Sequence, residues 1–264
     1  MLPAGAQPVR ILHLSDLHLT VRDRARAAFV ASLAGLEPDM VVDTGDNIAQ
    51  AEAIEPLRAA LGRLLELPGA YVFGSSDYVT PKFGNPLAYV GRPSVHELAE
   101  HRMLPTADLD AMLGSGSWHN VTGMRAVVEV MGLRVEFRGT DDAHLARDDY
   151  SAVAGSVSDG VDVSVGVTHA PYRRVLYAMT ADGVDLVLAG HTHGGQVCVP
   201  GYGALTTNCD LDRRHAKGMF QFHAAHKSSW VNVSAGLGTS PYAPYRFACP
   251  PEVTMLTLEP RSNG

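Results

Sequence analysis

Residues 9–18 read Val-Arg-Ile-Leu-His-Leu-Ser-Asp-Leu-His. The run Val9–Leu14 is short and mostly apolar and ends at a polar Ser-Asp pair, the pattern of a buried strand that delivers polar residues to its C-terminal tip. The pattern returns twice: Met40–Asp43 runs into Thr44-Gly45-Asp46-Asn47, and Ala70–Phe73 into Gly74-Ser75-Ser76-Asp77. Between these runs, Ala25–Leu36 and Ile54–Leu67 carry helical spacing, the first closing near Gly35. A β-α-β-α-β rhythm implies parallel strands covered by helices. Functional residues then meet at the carboxyl edge of the sheet.

Residues 78–105 hold Pro81, Pro86, Pro93 and Pro105 and show little periodicity. They read as an irregular insertion beside the site, in the position of a cap, since loops of this length are usually functional or disordered. A short helix is expected over Ala107–Leu113. His119–Thr122, Ala126–Met131 and Leu133–Arg138 read as antiparallel strands with a turn at Met131-Gly132. Val161–Thr168 and Val184–Ala189 are apolar strands ending at His169 and at Gly190-His191, and Trp230–Ser234 and Val253–Leu258 are further strands. There is no internal repeat, coiled coil or low-complexity tract. The expected architecture is two packed sheets flanked by helices, in one domain over residues 1–264.

A chain of 264 residues buries a sizeable core without staples. With 21 basic against 28 acidic residues the net charge is −7, so no extended nucleic-acid surface is expected. An anionic substrate is still admissible, because bound divalent cations invert the local potential. Cys198, Cys209 and Cys249 are odd in number and lack Cys-x-x-Cys spacing, which reads as free thiols in a reducing compartment. No stretch approaches the roughly 18 apolar residues of a membrane span, and the N-terminus lacks a charged start followed by an apolar core. A cytoplasmic protein with no membrane partner is expected.

Five strand ends bear polar residues, and four bear metal-ligand types: Asp16 with His18, Asp46, His169, and His191 with His193. Imidazole and carboxylate together suit Zn, Mn or Fe, whereas an all-oxygen site suits Mg or Ca. Asp-x-His and His-x-His on loops aim two side chains at one ion or at adjacent ions, and a carboxylate such as Asp46 can bridge two cations about 3.5–4 Å apart. A lone histidine near a strand end is more often structural than a ligand. The weight rests on the ordered set, and among the 12 histidines His13, His96, His101, His119, His215, His223 and His226 fall outside it and receive no role.

The motifs HLSDLH at 13–18, TGDN at 44–47, THAP at 168–171 and GHTHGGQ at 190–196 resemble the calcineurin-like metallophosphoesterases, in particular the bacterial branch with the Gly-His-Thr-His-Gly-Gly-Gln signature. GLGTS at 236–240 is similar to that branch as well. The resemblance implies a four-layer α/β/β/α sandwich and two metal ions drawn from Mn, Fe or Zn. It implies that Asp16, His18 and His193 hold the first metal, that Asp46 bridges, and that His169 and His191 hold the second. It further implies direct in-line attack of a metal-bound hydroxide on phosphorus, without a covalent enzyme intermediate.

The third loop departs from that family. Where the pattern has Gly-Asn-His-Asp or Gly-Asn-His-Glu, this chain has Gly74-Ser75-Ser76-Asp77; a subgroup with Gly-Ser-Asn-Asp would put Ser76 in the place of its Asn. Three readings stand. Ser76, or a water it orients, fills the missing coordination place; Asp77 turns in as ligand or as a general acid with a raised pKa; or the site binds metal without turnover. Asp77 and His191 are the candidate catalytic residues. Arg246, Tyr78 and His144 are candidates for substrate contact, each set against a structural role: a solvated arginine, ordinary packing, a polar turn. Asn47 reads as a helix cap. The leading function is hydrolysis of a phosphomonoester or phosphodiester of a small soluble metabolite, nucleotides among them. The alternatives are a metal-dependent binding or sensor protein and a dinuclear hydrolase of a non-phosphate bond.

Overall fold

The computed structural model describes residues 2–81 and 102–261. In chain order its strands are β1 (Val9–Leu14), β2 (Met40–Asp43), β3 (Gly69–Tyr71), β4 (Trp118–Asn120), β5 (Arg125–Val130) and β6 (Leu133–Gly139). There follow β7 (Val163–Thr168), β8 (Leu186–Ala189), β9 (Cys198–Val199), β10 (Gly203–Ala204), β11 (Gly218–Ala224), β12 (Lys227–Val233) and β13 (Thr254–Leu258). The helices are α1 (Arg24–Ser32), α2 (Ile54–Leu61), α3 (Ser75–Tyr78), α4 (Thr106–Leu113) and α5 (Arg173–Asp182).

Alternation along each strand builds the layers, because successive side chains of a strand point to opposite faces. On β1, Val9 and Ile11 join Met40 and Val42 of β2 in a core shared with Val135, Phe137, Val165, Val167 and Leu188 of the other sheet. Leu12 and Leu14 face the opposite way, onto Val30, Leu57, Leu61, Leu109 and Met112 of α1, α2 and α4. On the far side, Val187, Val231 and Val233 pack against Val175, Leu176 and Met179 of α5. Three apolar layers thus separate helices, sheet, sheet and helix, the α/β/β/α sandwich.

The first sheet has the order β13-β1-β2-β3-β4 and the second β11-β12-β8-β7-β6-β5. Strands β1 to β4 run parallel, as do β6, β7, β8 and β12, while β13, β11 and β5 pair antiparallel at edges. Both sheets are therefore mixed. The parallel strands bring the C-terminal tips of β1, β2, β3, β6, β7, β8 and β12 to the edges where the motif residues lie.

Several expectations need adjustment. The segment at His119–Thr122 does not join the β5–β6 hairpin; β4 pairs parallel with β3 in the first sheet. The expected helix over Ile54–Leu67 is broken at Gly62, past which the chain tightens into a 3₁₀ turn to Glu66. Similarly α1 tightens at Leu33–Leu36. The turn at Met131-Gly132 is present, with φ of 51° and 79°, the two left-handed residues that a tight hairpin between twisted strands requires. Strand β11 and helix α5 carry no expectation from sequence. The insertion expected over 78–105 lies for the most part, at 82–101, outside the described residues. No helix among the described residues is long and apolar enough to cross a membrane, and all three cysteines are free thiols.

Phe137 is fully buried in the layer between the sheets. Phe137→Ala is expected to lower the unfolding free energy by about 3–5 kcal/mol in urea denaturation. Phe29→Ala, at a position 46% exposed on α1, is expected to change it by less than about 0.5 kcal/mol.

Candidate metal centre

Asp16 and His18 follow β1, Asp46 follows β2, His169 follows β7, and His191 and His193 follow β8. The tips of the two sheets bring these residues together. One ligating atom each from Asp16, His18 and His193 lies within 4.8 Å of the others, and the same holds for Asp16, Asp46 and His169. Asp16 is common to both groups. Asp46 Oδ2 stands 3.3 Å from His18 Nε2 and 3.5 Å from His169 Nε2, between a member of each group. His191 belongs to neither group; its ring centre is 5.2 Å from that of His169.

The donor chemistry fits a cation. His169 Nδ1 bonds the Thr44 carbonyl at 2.7 Å, which fixes the proton there and leaves Nε2 buried, aimed at Asp46 and without a hydrogen-bond partner. His191 Nε2 bonds the Asn208 carbonyl at 3.1 Å, which leaves Nδ1 as its available donor atom. His18 Nε2 and His193 Nε2 face each other at 3.3 Å. Burial lowers the pKa of His193 to about 3 and that of His191 to about 4, and lowers that of His18 too, so these rings are neutral, as metal ligation requires. His169 differs: burial opposes its charge, but the Asp46 and Asp16 carboxylates carry its pKa well above the ordinary histidine range. Burial likewise opposes ionisation of Asp46, yet His169 and His18 hold it well below the usual carboxylate range.

The backbone at these residues is unusual. Asp16, His18, Asp46, His191 and His193 have φ of 52°, 41°, 58°, 68° and 49°, in the left-handed region that costs a non-glycine residue free energy. Strain gathered on five of six candidate ligands points to a site whose surroundings over-determine it. Close approach matters as well. A Cβ on Gly74 would run into Asp46 Oδ1 and the His169 ring, and one on Gly190 into Ser15 Oγ and Asp16 Oδ2.

The third loop divides its tasks. Ser76 N donates to Asp46 Oδ1 at 2.7 Å, and Ser76 Oγ lies 3.3 Å from Asp46 Oδ2, so Ser76 borders the cluster. Ser75 turns away and donates to Asp142 at 2.7 Å. Asp77 accepts from the backbone N–H groups of Asp46, Asn47, Ile48 and Gly74 and is fully buried. Burial and the nearby Asp46 push its pKa up to about 8, against the hydrogen bonds from Gly74 and Asn47. A proton held to that pH would suit a general acid, but both oxygens are engaged by the backbone and no solvent reaches them. The geometry makes Asp77 a clamp on the loop after β2.

The expected substrate contacts are placed differently. Tyr78 is buried, donates to Asp141 at 2.7 Å, packs against Phe73 in a T-shaped pair and carries the Arg147 guanidinium 4.1 Å from its ring centre, so its ring is engaged within the protein. Arg246 donates to the carbonyls of His193, Ala235, Gly236 and Gly238, binding the loop after β12 to the loop after β8. His144 lies beside the cluster, its ring centre 4.4 Å from that of His191 and its Nδ1 3.1 Å from Tyr172 Oη. Asn47 caps no helix. Sequence reasoning missed Asp142 and Arg26. Asp142 is fully buried and holds the His144 N–H, and Arg26 donates to the carbonyls of Leu17 and His18 from behind. Asp142 had a signal, in that the GTDDAH turn follows a strand.

The calcineurin-like phosphoesterase family model matches residues 9–195. The chain belongs to that family, and it is a metallophosphoesterase. It is 26% identical to an uncharacterized metallophosphoesterase, YkuE, of Bacillus subtilis, over 98% of this chain and 82% of the relative. It is 26% identical to the phosphodiesterase YaeI of Escherichia coli over 96% and 83%. It is 25% identical to the UDP-2,3-diacylglucosamine pyrophosphatase LpxG of Chlamydia trachomatis over 94% and 83%. The crystal structure of a 5'-nucleotidase precursor from Thermus thermophilus shares the fold, with a TM-score of 0.53 at 16% identity over 96% of this chain; this chain spans about half, 54%, of that one.

Because the Asp46 and Asp16 carboxylates favour the protonated His169 ring and a ligating imidazole must be neutral, metal uptake is expected to release protons, and affinity is expected to weaken as pH falls. Calorimetry in buffers of different ionisation enthalpy reads the released protons directly.

Proposed function

We propose that this chain is a dinuclear metal-dependent hydrolase of phosphoric esters. The observation that carries the reading is the pair of donor groups sharing Asp16 at the tips of two sheets, with His169 Nε2, a member of the second, buried and without a hydrogen-bond partner. Asp16, His18 and His193 would hold one cation, His169 and His191 the other, with Asp46 between them. The mixed nitrogen and oxygen donors suit Mn, Fe or Zn. When bound, the two cations lower the pKa of a ligated water towards about 7 and neutralise charge on the phosphoryl oxygens. The chain's part is to fix the donors: Thr44 and Asn208 orient His169 and His191, Asp77 clamps the Asp46 loop, and Arg246 holds His193 in place. His144 lies beside His191, its ring centre 4.4 Å away.

The names of two relatives, a phosphodiesterase and a pyrophosphatase, favour a diester or diphosphate linkage over a monoester in a small phosphorylated metabolite. A second reading, a binding protein of weak turnover, draws support from Ser75-Ser76, which supplies neither amide nor imidazole. Metal analysis paired with hydrolysis of an aryl phosphate diester and monoester in manganese separates the two. About two metals per chain with turnover, faster on the diester, is expected; one metal or none without turnover would leave the binding reading. Asp46→Asn is expected to abolish turnover and lower the metal count. Ser76→Asn, adding a longer oxygen donor beside Asp46, is expected to tighten the weaker metal in a manganese titration, and an unchanged titration would remove Ser76 from the ligand set.

A further inference from the structure

We infer that His13 is a positioning residue that fixes Asp16 as a metal ligand through a one-way chain of hydrogen bonds, an inference that rests on the metal-centre reading above. His13 lies on β1, fully buried between the two sheets. Its Nδ1 is 2.9 Å from Asn232 Nδ2, on β12 of the opposite sheet, and its Nε2 is 3.1 Å from Thr44 Oγ1, past the tip of β2. Thr44 Oγ1 is 2.7 Å from Ser15 Oγ, and Ser15 Oγ is 2.5 Å from Asp16 Oδ2.

The direction of every bond follows from the carboxylate, which only accepts. Ser15 has one hydroxyl proton and gives it to Asp16. It must then accept from Thr44, whose single proton goes to Ser15 at 2.7 Å rather than to the Leu14 carbonyl at 3.3 Å. Thr44 must accept in turn from His13, so the imidazole carries its proton on Nε2. Nδ1 is left as an acceptor, and Asn232 presents its amide N–H₂ to it. Reversing any member sets two lone pairs face to face. The ring has to be neutral for this, and burial, against the pull of Asp16, lowers its pKa to about 4.

The chain ends where ligand orientation is decided. Asp16 Oδ2 receives Ser15 and, at 3.1 Å, the His191 N–H, while Oδ1 stands 3.6 Å from His193 Nε2. Glycine at 190 leaves room for this, since a Cβ there would collide with Ser15 Oγ. A histidine in an apolar layer between Val, Ile and Leu side chains is costly to bury unless its polar atoms are partnered. Here both partners are found: Asn232 on the opposite sheet, and Thr44, which leads on through Ser15 to Asp16.

The test uses the full chain with Mn²⁺ as the probe, titrated by calorimetry into wild type, His13→Phe, His13→Gln, Ser15→Ala and the His13→Phe/Ser15→Ala double variant, alongside thermal melts without metal. His13→Phe is expected to weaken Mn²⁺ binding about 10–100-fold. His13→Gln, whose amide N–H can still reach Thr44, is expected to recover most of that loss. Ser15→Ala is expected to weaken binding comparably, and the double variant no further than the worse single one, because both cut one chain. A purely structural His13 would lower the melting temperature but leave affinity unchanged. Wild-type affinity in His13→Phe, or additive losses in the double variant, would overturn the inference. Should His13→Phe not fold, Ser15→Ala and Thr44→Val carry the same expectation, and wild-type affinity in both overturns it. The two readings fail separately: variants that bind like a metal-binding wild type sink the relay alone, whereas a wild type that binds Mn²⁺ without cleaving any phosphoester sinks the hydrolase reading and leaves the affinity comparison in force. A wild type that takes up no Mn²⁺ sinks both.

Discussion

Everything at the tips of the two sheets is built round one buried carboxylate. Asp16 donates its N–H to Gly45 after β2, accepts through its carbonyl from Gly238 after β12, and accepts through its carboxylate from His191 N–H after β8. Three loops, after β2, β8 and β12, are thus pinned to a residue that itself follows β1 and sits at φ 52°. The requirement behind this is electrostatic. Asp16, Asp43, Asp46, Asp77 and Asp142 are all buried within one region, and burying that many carboxyl groups is costly unless hydrogen-bond donors or cations answer them. Backbone N–H groups answer Asp77, and serine hydroxyls and amides answer Asp142 and part of Asp16. The oxygens left facing imidazoles on Asp16 and Asp46 are where the proposed cations would complete the balance.

The same requirement accounts for motifs that otherwise look like a string of small residues. The Gly-Leu-Gly of residues 236–238 lies directly on the Asp16 loop: a Cβ on Gly236 would press on Asp16 Cβ, and one on Gly238 on the Leu17 carbonyl. Arg246 then binds the carbonyls of that loop and of His193 together. Its position near the cluster is what the sequence suggested; its task is to hold the backbone, which no spacing rule could have told apart from contact with a phosphate.

Much of the sandwich was legible because its strands are buried on both faces. Val9–Leu14 and Met40–Asp43 read as strands to the residue, and Val163–Thr168 within two residues, since fully buried parallel strands are continuous apolar runs. What failed is what local pattern does not carry. The strand at Trp118–Asn120 looks like a neighbour of β5 in sequence but joins β3, a choice made by packing between distant segments. Strand β11 alternates half-buried with exposed residues at a sheet edge, and α5 opens on two arginines and buries only one face. Among the site residues, type and order sufficed for the cluster of Asp16, His18, Asp46, His169 and His193. They did not suffice for His13, which shares the strand's apolar pattern and whose meaning depends on Asn232, 219 positions away.

The third loop shows how far such a centre tolerates change. Its placement owes little to the side chains at 75 and 76. Gly74 fits against Asp46 and His169 for want of a Cβ, Asp77 ties the loop to the backbone of residues 46–48, and the Ser76 N–H meets Asp46 Oδ1. All three contacts survive any residue at 75 or 76 whose backbone can follow the same path. Ser75 has gone to Asp142, leaving Ser76 as the only one of the two serine side chains bonded within the cluster, with a hydroxyl one bond from its Cβ. Relative to an amide at that position the loop has lost reach, while its backbone still presents the residue to Asp46. Under the proposed ligand set, the shorter side chain at 76 would weaken one donor and leave the other six candidate positions where the folds of two sheets put them.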